Sequence, residues 1–332
     1  MVNPPVTIPI SFVHGMLSGA RARELSLDGF LVAAGIAPEL LEENGARVTA
    51  DQYVALFRAL IEQLDDEALG FLSHSLKRGC FALIARSAIT ATTLQPALRR
   101  AAHTFRLLQD DVVLELNREE ALAGVTLRFV DPSVPRQVFL HELLLRVFWR
   151  LLAWLAGGQL TIERFDFAFE SPSYAGNYGK VFPAPLRFGQ RASAFWFDAK
   201  HLQDAVRRDE VALRSFLADA QTNIIVPRRG DTVIARVRSH LQRAQPVWPD
   251  LGATADALHM STSTLQRRLA LEGTSFQSLK DELRRDMAIV LLNTSTLPLT
   301  ELASQLGFAD SAAFQRAFKS WTGSAPGVYR RR

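Results

Sequence analysis

Apolar positions in the last hundred residues fall into the same helical pattern twice. Residues 251–271 read LGATADALHMSTSTLQRRLAL, and residues 299–321 read LTELASQLGFADSAAFQRAFKSW. Each predicts a short apolar helix, a tight turn and a second helix with one apolar and one polar face. In the later unit, Leu302, Ala303 and Leu306 recur at helical spacing. Gly307 stops that helix where a left-handed residue fits. Asp310 stands where an N-cap belongs. Phe314, Phe318 and Trp321 form the buried stripe, which leaves Ser311, Ala312, Gln315, Arg316 and Lys319 outside it. In the earlier unit, Ala255, Leu258, Leu265 and Leu269 face inward, and Ser261 or Ser263 is the candidate cap. Ser263, Thr264, Gln266, Arg267 and Arg268 stay outside. A helix-turn-helix needs this division, because its second helix enters the major groove while its back packs on the first.

Between the two units, residues 276–293 are amphipathic, with Leu279, Leu283, Met287, Val290 and Leu291 on the expected buried side. A helix of this length spans about 27 Å. Major-groove faces repeat every ~34 Å along one side of a duplex. One rigid helix therefore suits two probes in successive grooves, with Arg267 and Arg316 as base-reading candidates.

The stretch from about Val233 to Arg332 resembles the DNA-binding domain of the AraC/XylS family. The likeness rests on LASQLGFADSAAFQRAFKSWTGSAPGVYR, with Ala303, Gly307 and Phe308, then Phe314, Arg316, Phe318 and Lys319, and the closing Gly323, Pro326, Tyr329 and Arg330. The resemblance implies base contacts at Ser263, Gln266 and Arg267 in the first probe, and at Ala312, Ala313 and Arg316 in the second. Arg can pair bidentately with guanine and Gln with adenine, whereas Ala offers only contact with a thymine methyl. Readout by the second probe thus rests on Arg316.

Upstream the pattern changes. Helices are predicted over 51–64, capped by Thr49, and over 81–90, 94–108 and 136–156. Residues 112–117 and 125–130 flank a hairpin loop. Residues 161–169 alternate with Phe165, Phe167 and Phe169 on one face, as in a half-buried strand. A short helix over 173–181, short strands at 186–188 and 194–197, and a closing helix over 209–225 complete an α+β sensor domain. Helices lead and a small sheet follows, so the layout is not a cupin barrel. The segment SPSYAGNYGKVFPAPLRFGQRASAFWFDAKHL resembles the family subgroup with an arabinose-binding-type N-terminal domain, over roughly residues 15–210. The subgroup's label does not imply that arabinose is the ligand. The expected organisation is a ligand-sensing and dimerisation domain over 1–226, a polar hinge over 227–232, and an all-α domain over 233–332 in which a long helix joins two helix-turn-helix motifs.

Charge supports this division. The net charge of the 332 residues is +4. From Pro227 onward there are 15 Lys and Arg against 9 Asp and Glu; before it there are 23 against 25. The basic part coincides with the probes, as phosphate contact requires. Arg284, Arg285 and the tail from Arg330 to Arg332 also fit plainly solvated basic positions. Cys80 is the single cysteine, so no intramolecular disulfide or thiolate metal cage is expected. That usage, and the lack of a basic-then-apolar leader, fit a cytoplasmic protein. The most apolar run, 143–156, carries Arg146 and Arg150 and is too short to span a bilayer.

No nucleotide loop, zinc-binding helix motif or nucleophile elbow occurs, so no enzyme, cofactor or metal is expected. His141 and Glu142 adjoin, but neighbours on a helix face different ways. The acidic runs at 65–67 and 110–111 are expected in solvated loops. Phe148, Trp149, Phe165 and Phe167 are candidates to line an apolar effector cavity, against the alternative that they interlock as core. The expected function is a ligand-responsive transcription regulator, an activator. Its partners would be double-stranded promoter DNA, an apolar small molecule, RNA polymerase by family implication, and a second copy of itself. A ligand-independent DNA-binding or architectural protein is the alternative.

Overall fold

The computed structural model describes residues 6–131, 136–158, 160–226, 233–245 and 247–330. The chain runs β1 (Thr7–Pro9), α1 (Ile10–Ala22), α2 (Asp28–Ala34), β2 (Arg47–Thr49), α3 (Ala50–Leu64), α4 (Cys80–Ile89), α5 (Leu94–Leu108), β3 (Val112–Glu119), β4 (Leu122–Phe129) and α6 (Val138–Leu155). There follow β5 (Arg164–Asp166), β6 (Leu186–Arg187), β7 (Ser193–Asp198), α7 (Glu210–Ala218), α8 (Ala220–Ile225), α9 (Val233–Arg243), α10 (Leu251–Ala257), α11 (Thr262–Leu271), α12 (Phe276–Thr294), α13 (Leu299–Gln305) and α14 (Ser311–Thr322). Two compact units result, and they do not follow chain order. One joins His14–Ala33 to Val54–Pro227; the other joins Met1–Val13, Ala34–Tyr53 and Arg228–Arg332. The hinge expected over 227–232 lies outside the described residues.

The larger unit is α+β and holds no barrel. Its sheet has the order β3-β4-β7-β5-β6, antiparallel except for the β5–β6 pair. The hairpin is tighter than the expected 118–124 loop. Its ladder runs to Glu119↔Leu122, and Glu120 adopts a left-handed φ of 51° in the two-residue turn. Gly124 is required where the ring of Trp196 lies flat against β4, because a Cβ there would come within 2.6 Å of that ring. The strand expected over 161–169 is regular only across Arg164–Asp166; beyond it the backbone still bonds residues 187–190, with the Phe167 amide donating to the Arg187 carbonyl at 2.8 Å and the Gly189 amide to the Phe169 carbonyl at 3.0 Å. The closing helix expected over 209–225 is two helices, broken at Asp219.

Helix α6 is apolar on every side, the pattern of a helix buried all round. One face meets the sheet, where Trp149 packs edge-on against Phe165 at 5.4 Å. Another meets α5, where Phe148 packs edge-on against Phe105 at 5.1 Å. Its polar residues are buried with partners. His141 Nδ1 shares a 2.8 Å hydrogen bond with Ser193 Oγ, and Ser193 Oγ accepts from the Ala168 amide at 2.9 Å. Burial lowers the imidazole pKa to about 4, so the ring is neutral at pH 7. Glu142, on another face, accepts hydrogen bonds from the hydroxyls of Tyr178 and Tyr174.

The acidic runs are not simply solvated loops. Asp66 is fully buried and accepts from the amides of Ala68, Gly70 and Leu76 at 2.8–2.9 Å. Glu67 accepts from Gly79 and Phe81 at 2.7 and 2.6 Å, at the start of α4. Asp111 is buried too, where Ser73 donates to it through its amide and hydroxyl. Carboxylates here replace a regular ladder as the partners of loop amides.

In the smaller unit, β1 and β2 form an antiparallel pair. Thr49 and Gln52 form a reciprocal cap at the start of α3: the Gln52 amide donates to Thr49 Oγ1 at 3.1 Å, and the Thr49 amide to Gln52 Oε1 at 3.0 Å. The rest of the unit is the expected set of helices.

Candidate nucleic-acid interface and apolar cavity

Both helix-turn-helix units form as the apolar pattern predicts. Asp250 caps α10 by accepting from the Ala253 amide at 2.8 Å. His259, at φ 55°, carries the chain through the turn, and Ser261 caps α11 by accepting from the Thr264 amide at 3.2 Å. In the second unit Gly307 is left-handed at φ 75°, and Asp310 caps α14 by accepting from the Ala313 amide at 2.7 Å. Gly307 also has a packing reason. A Cβ there would lie 2.6 Å from the Trp248 ring.

The probes' backs are buried. Leu265 and Leu269 of α11, and Phe314 and Phe318 of α14, are fully enclosed. Phe308 plugs the second turn, packing on Phe314 at 5.7 Å and on Trp321 at 5.9 Å. On the outer faces Ser263, Gln266, Arg267, Arg268, Ala312, Arg316 and Lys319 are exposed, and Thr264, Ser311 and Ala313 are half-buried. Ser261 Oγ also lies 3.1 Å from Ser263 Oγ and 2.8 Å from Thr264 Oγ1, so those two hydroxyls already have partners in the cap.

Helix α12 joins the probes. Its 19 residues span about 28 Å. Leu279, Leu283 and Met287 pack in the core of the first unit. Further along, the buried positions are Asp286, Ala288, Ile289 and Leu292. The buried stripe thus shifts by about one residue from the expected Val290 and Leu291, because the second half of the helix serves a different neighbour. Arg284 and Arg285 are not plainly solvated. The Arg284 guanidinium lies 5.0 Å from the Trp248 ring centre and 5.3 Å from that of Phe308. Arg285 bonds Asp286 at 3.0 Å. The described part of the basic tail, Arg330, donates to the Leu297 carbonyl.

Asp286 is the centre of a buried charge cluster. Arg238 Nη2 donates to it at 2.7 Å and Thr7 Oγ1 at 2.6 Å; Arg47 Nε lies 3.8 Å away and donates to Thr7 Oγ1 at 2.7 Å. Burial pushes the Asp286 carboxyl up, but Arg285, Arg47 and Arg238 outweigh it and hold the pKa at about 2. Burial lowers Arg47 to about 10, still charged at pH 7.

The larger unit contains a cavity of about 310 Å³. Its walls are Phe57 and Ile61 of α3, Phe81, Ala82 and Ile84 of α4, Phe105 of α5, Leu140, Leu143, Leu144, Val147 and Phe148 of α6, and Leu217, Ala220 and Ile224 of α7 and α8, with Ala68 and Leu76 from the loop before α4. Four polar residues join them: Glu62, Glu67, Arg78 and Gln221. Of the four sequence candidates, Phe148 lines this cavity. Trp149, Phe165 and Phe167 do not. They interlock with Phe182, Phe188 and Tyr178 at centroid distances of 5.0–5.4 Å, filling the sheet side of α6. The cavity lies among helices because the aromatic side chains that alternate near the sheet fill their own space. The α3, α4 and α5 lining had no separate signal, since it belongs to stripes that read as ordinary core. Among the described residues, no group of three His, Cys, Asp or Glu is placed to hold a metal, and no helix is long and apolar enough to cross a membrane.

Residues 25–206 match the family model described as the arabinose-binding domain of AraC transcription regulators, and residues 254–332 match a helix-turn-helix domain model. The ornithine utilization regulator of Pseudomonas aeruginosa is 28% identical over 332 residues, covering 97% of this chain and 96% of that protein. The regulator VirS of Mycobacterium tuberculosis is 25% identical, covering 93% and 92%. The regulator VqsM of P. aeruginosa is 35% identical over 95 residues, 29% of each chain.

Proposed function

This chain belongs to the AraC family of DNA-binding transcription regulators, and on that premise we propose that it is an effector-controlled activator whose sensor is the cavity of the larger unit. The observation that carries the reading is the pairing of two exposed polar probe faces with an apolar cavity large enough for a small molecule. Sites of this kind start at ~300 Å³.

Helices α11 and α14 enter successive major grooves. Arg267 and Gln266 read bases in one and Arg316 in the other, beside Ser263, Ser311, Ala312 and Ala313. Thr264, already engaged in the cap, adds packing, and Arg268 and Lys319 neutralise phosphates. Control is a population shift: the effector binds the DNA-competent arrangement better than the alternative. The regulator acts as a homodimer, touches RNA polymerase and works in the cytoplasm without enzymatic chemistry of its own.

The test selects the preferred operator from random DNA with the full-length protein, then measures its affinity across a metabolite collection. A compound that both raises the melting temperature and shifts operator affinity supports the reading. Thermal stabilisation at 100 times the dissociation constant is about 2.7 kcal/mol. Operator affinity indifferent to every stabilising compound favours a ligand-independent DNA-binding protein instead.

A further inference from the structure

We propose, resting on the reading of the cavity as the effector site, that its ligand is a hydrocarbon-rich molecule with one polar end, and not a carbohydrate. The walls are aliphatic and aromatic from six helices, and the few polar residues are partly committed. Both oxygens of Glu67 already accept backbone amides, from Gly79 and Phe81. Arg78 faces Asp65, with Nε 3.4 Å from the carboxylate. Gln221 Oε1 accepts from Arg58 Nε at 3.3 Å. What remains is the exposed Glu62 carboxylate, the Nη groups of the exposed Arg78 and the second end of the Gln221 amide, which together suit one polar group. A sugar carries a hydroxyl on nearly every carbon. Most of these would be buried against Phe57, Phe105, Leu144 and Phe148 without a partner, which a site built for them avoids. An alkyl chain or a ring needs no partners there and gains from leaving water.

The position of the polar end follows from the same geometry. Glu62 is exposed, so it marks the side that solvent reaches, and Gln221 is half-buried. The hydrocarbon part therefore points inward along α6, toward Phe148 and Phe105. The volume sets a limit. Chains longer than about 310 Å³ accommodates must leave their end in water.

The test uses the full chain and the n-alkanols from butanol to dodecanol, with D-arabinose and D-glucose as the carbohydrate arm, by titration calorimetry. Affinity should rise about fourfold per methylene, the equivalent of ~0.8 kcal/mol, and stop rising once the cavity is full. Ala220→Phe and Ala82→Phe each place a ring in the cavity, and each should weaken binding of the best alkanol at least tenfold while circular dichroism stays unchanged. Two variants guard against one misfolding. The sugars should not bind at millimolar concentration. Alkanol affinity that is flat along the series, or indifferent to both variants, overturns the proposal, as does a sugar that binds and is displaced by the alkanol or lost in both variants.

Operator affinity measured on the same samples separates this idea from the effector reading. Alkanols that bind in the cavity but leave operator affinity unchanged uphold the ligand class and count against the cavity as the control site. A sugar that shifts operator affinity while alkanols fail to bind overturns the class and upholds control by a small molecule.

Discussion

Thr7 Oγ1 donates a 2.6 Å hydrogen bond to Asp286 Oδ1, although 279 positions separate the two residues. The first strand of the chain is thereby built into the unit that carries the probes. Arg47, one strand over, adds to the same cluster: its guanidinium donates to Thr7 Oγ1 and the Thr7 carbonyl, and its amide donates to Tyr329 Oη at 3.2 Å. Gln52, at the start of α3, donates to Asn293 Oδ1 near the end of α12 at 2.9 Å. The helix that spaces the two probes is therefore held by residues from the first sixth of the sequence.

Asp286→Ala should destabilise this unit by about 3–5 kcal/mol, because it leaves Arg47 buried without its carboxylate and Arg238 with only Glu282, at 3.3 Å. Urea unfolding of the full chain measures this. A loss under 1 kcal/mol would mean that solvent reaches the cluster and screens it. The pH signature follows from the direction of the shift. The carboxyl is held at about 2 in the folded chain. Its contribution is therefore present above its unfolded pKa near 4, and is lost as pH falls from about 4 to 2.

Arg267→Ala should weaken operator binding by about 1–3 kcal/mol and relax preference at one or two base pairs. Arg267 is exposed on the outer face of α11, and no salt bridge or hydrogen bond engages its guanidinium among the described residues. Lys319→Ala should weaken all sequences alike and make binding less salt-dependent. Selection from random DNA distinguishes the two. An unchanged sequence preference for Arg267→Ala sinks its base-reading role.

His141 and Glu142 should oppose each other across the mildly acidic range. Burial raises Glu142 to about 7, above its usual value. Its contribution is full below about 4.5 and lost as pH rises toward 7. Burial lowers His141 to about 4, so its contribution is full above about 6.5 and lost as pH falls toward 4. The windows overlap with opposite sign, and the wild-type sensor should change little between pH 4.5 and 6.5. Glu142→Gln keeps the acceptor oxygen for Tyr178 but cannot ionise, so the variant should gain stability as pH rises through that range. Urea midpoints at each pH give the answer; parallel profiles for wild type and variant would contradict it.

Gly307→Ala should cost more than about 1 kcal/mol, since the position is left-handed at φ 75° and the new Cβ meets Trp248 at 2.6 Å. The second probe should suffer first. Hydrogen exchange should show faster opening of α13 and α14 than of α10 and α11. A variant with unchanged exchange in both would show that the turn relaxes at no cost.

The sequence by itself determined the two probes, because each rests on signals that act within a few residues. The spacing of Phe314 and Phe318, the caps at Asp310 and Ser261, and the left-handed Gly307 specify a helix-turn-helix before any long-range contact forms. The α+β character of the sensor was legible for the same reason, through the strand alternation around Phe165 and the helical period of α3 and α5. Local pattern says which face of an element is buried, but not against what. The register of α12 therefore drifted from expectation when its second half met different neighbours. Phe165 and Phe167 turned out to fill their own space with Phe182 and Phe188, leaving the cavity on the other side of α6. Asp66 reads as a solvated charge in sequence and is buried because the amides of its own loop surround it; Asp286 is buried because groups from distant segments, Thr7, Arg47 and Arg238, surround it. The placement of β1 and β2 with the DNA-binding helices was likewise decided only by the tertiary structure, since three residues of strand carry no information about a partner more than 200 positions away.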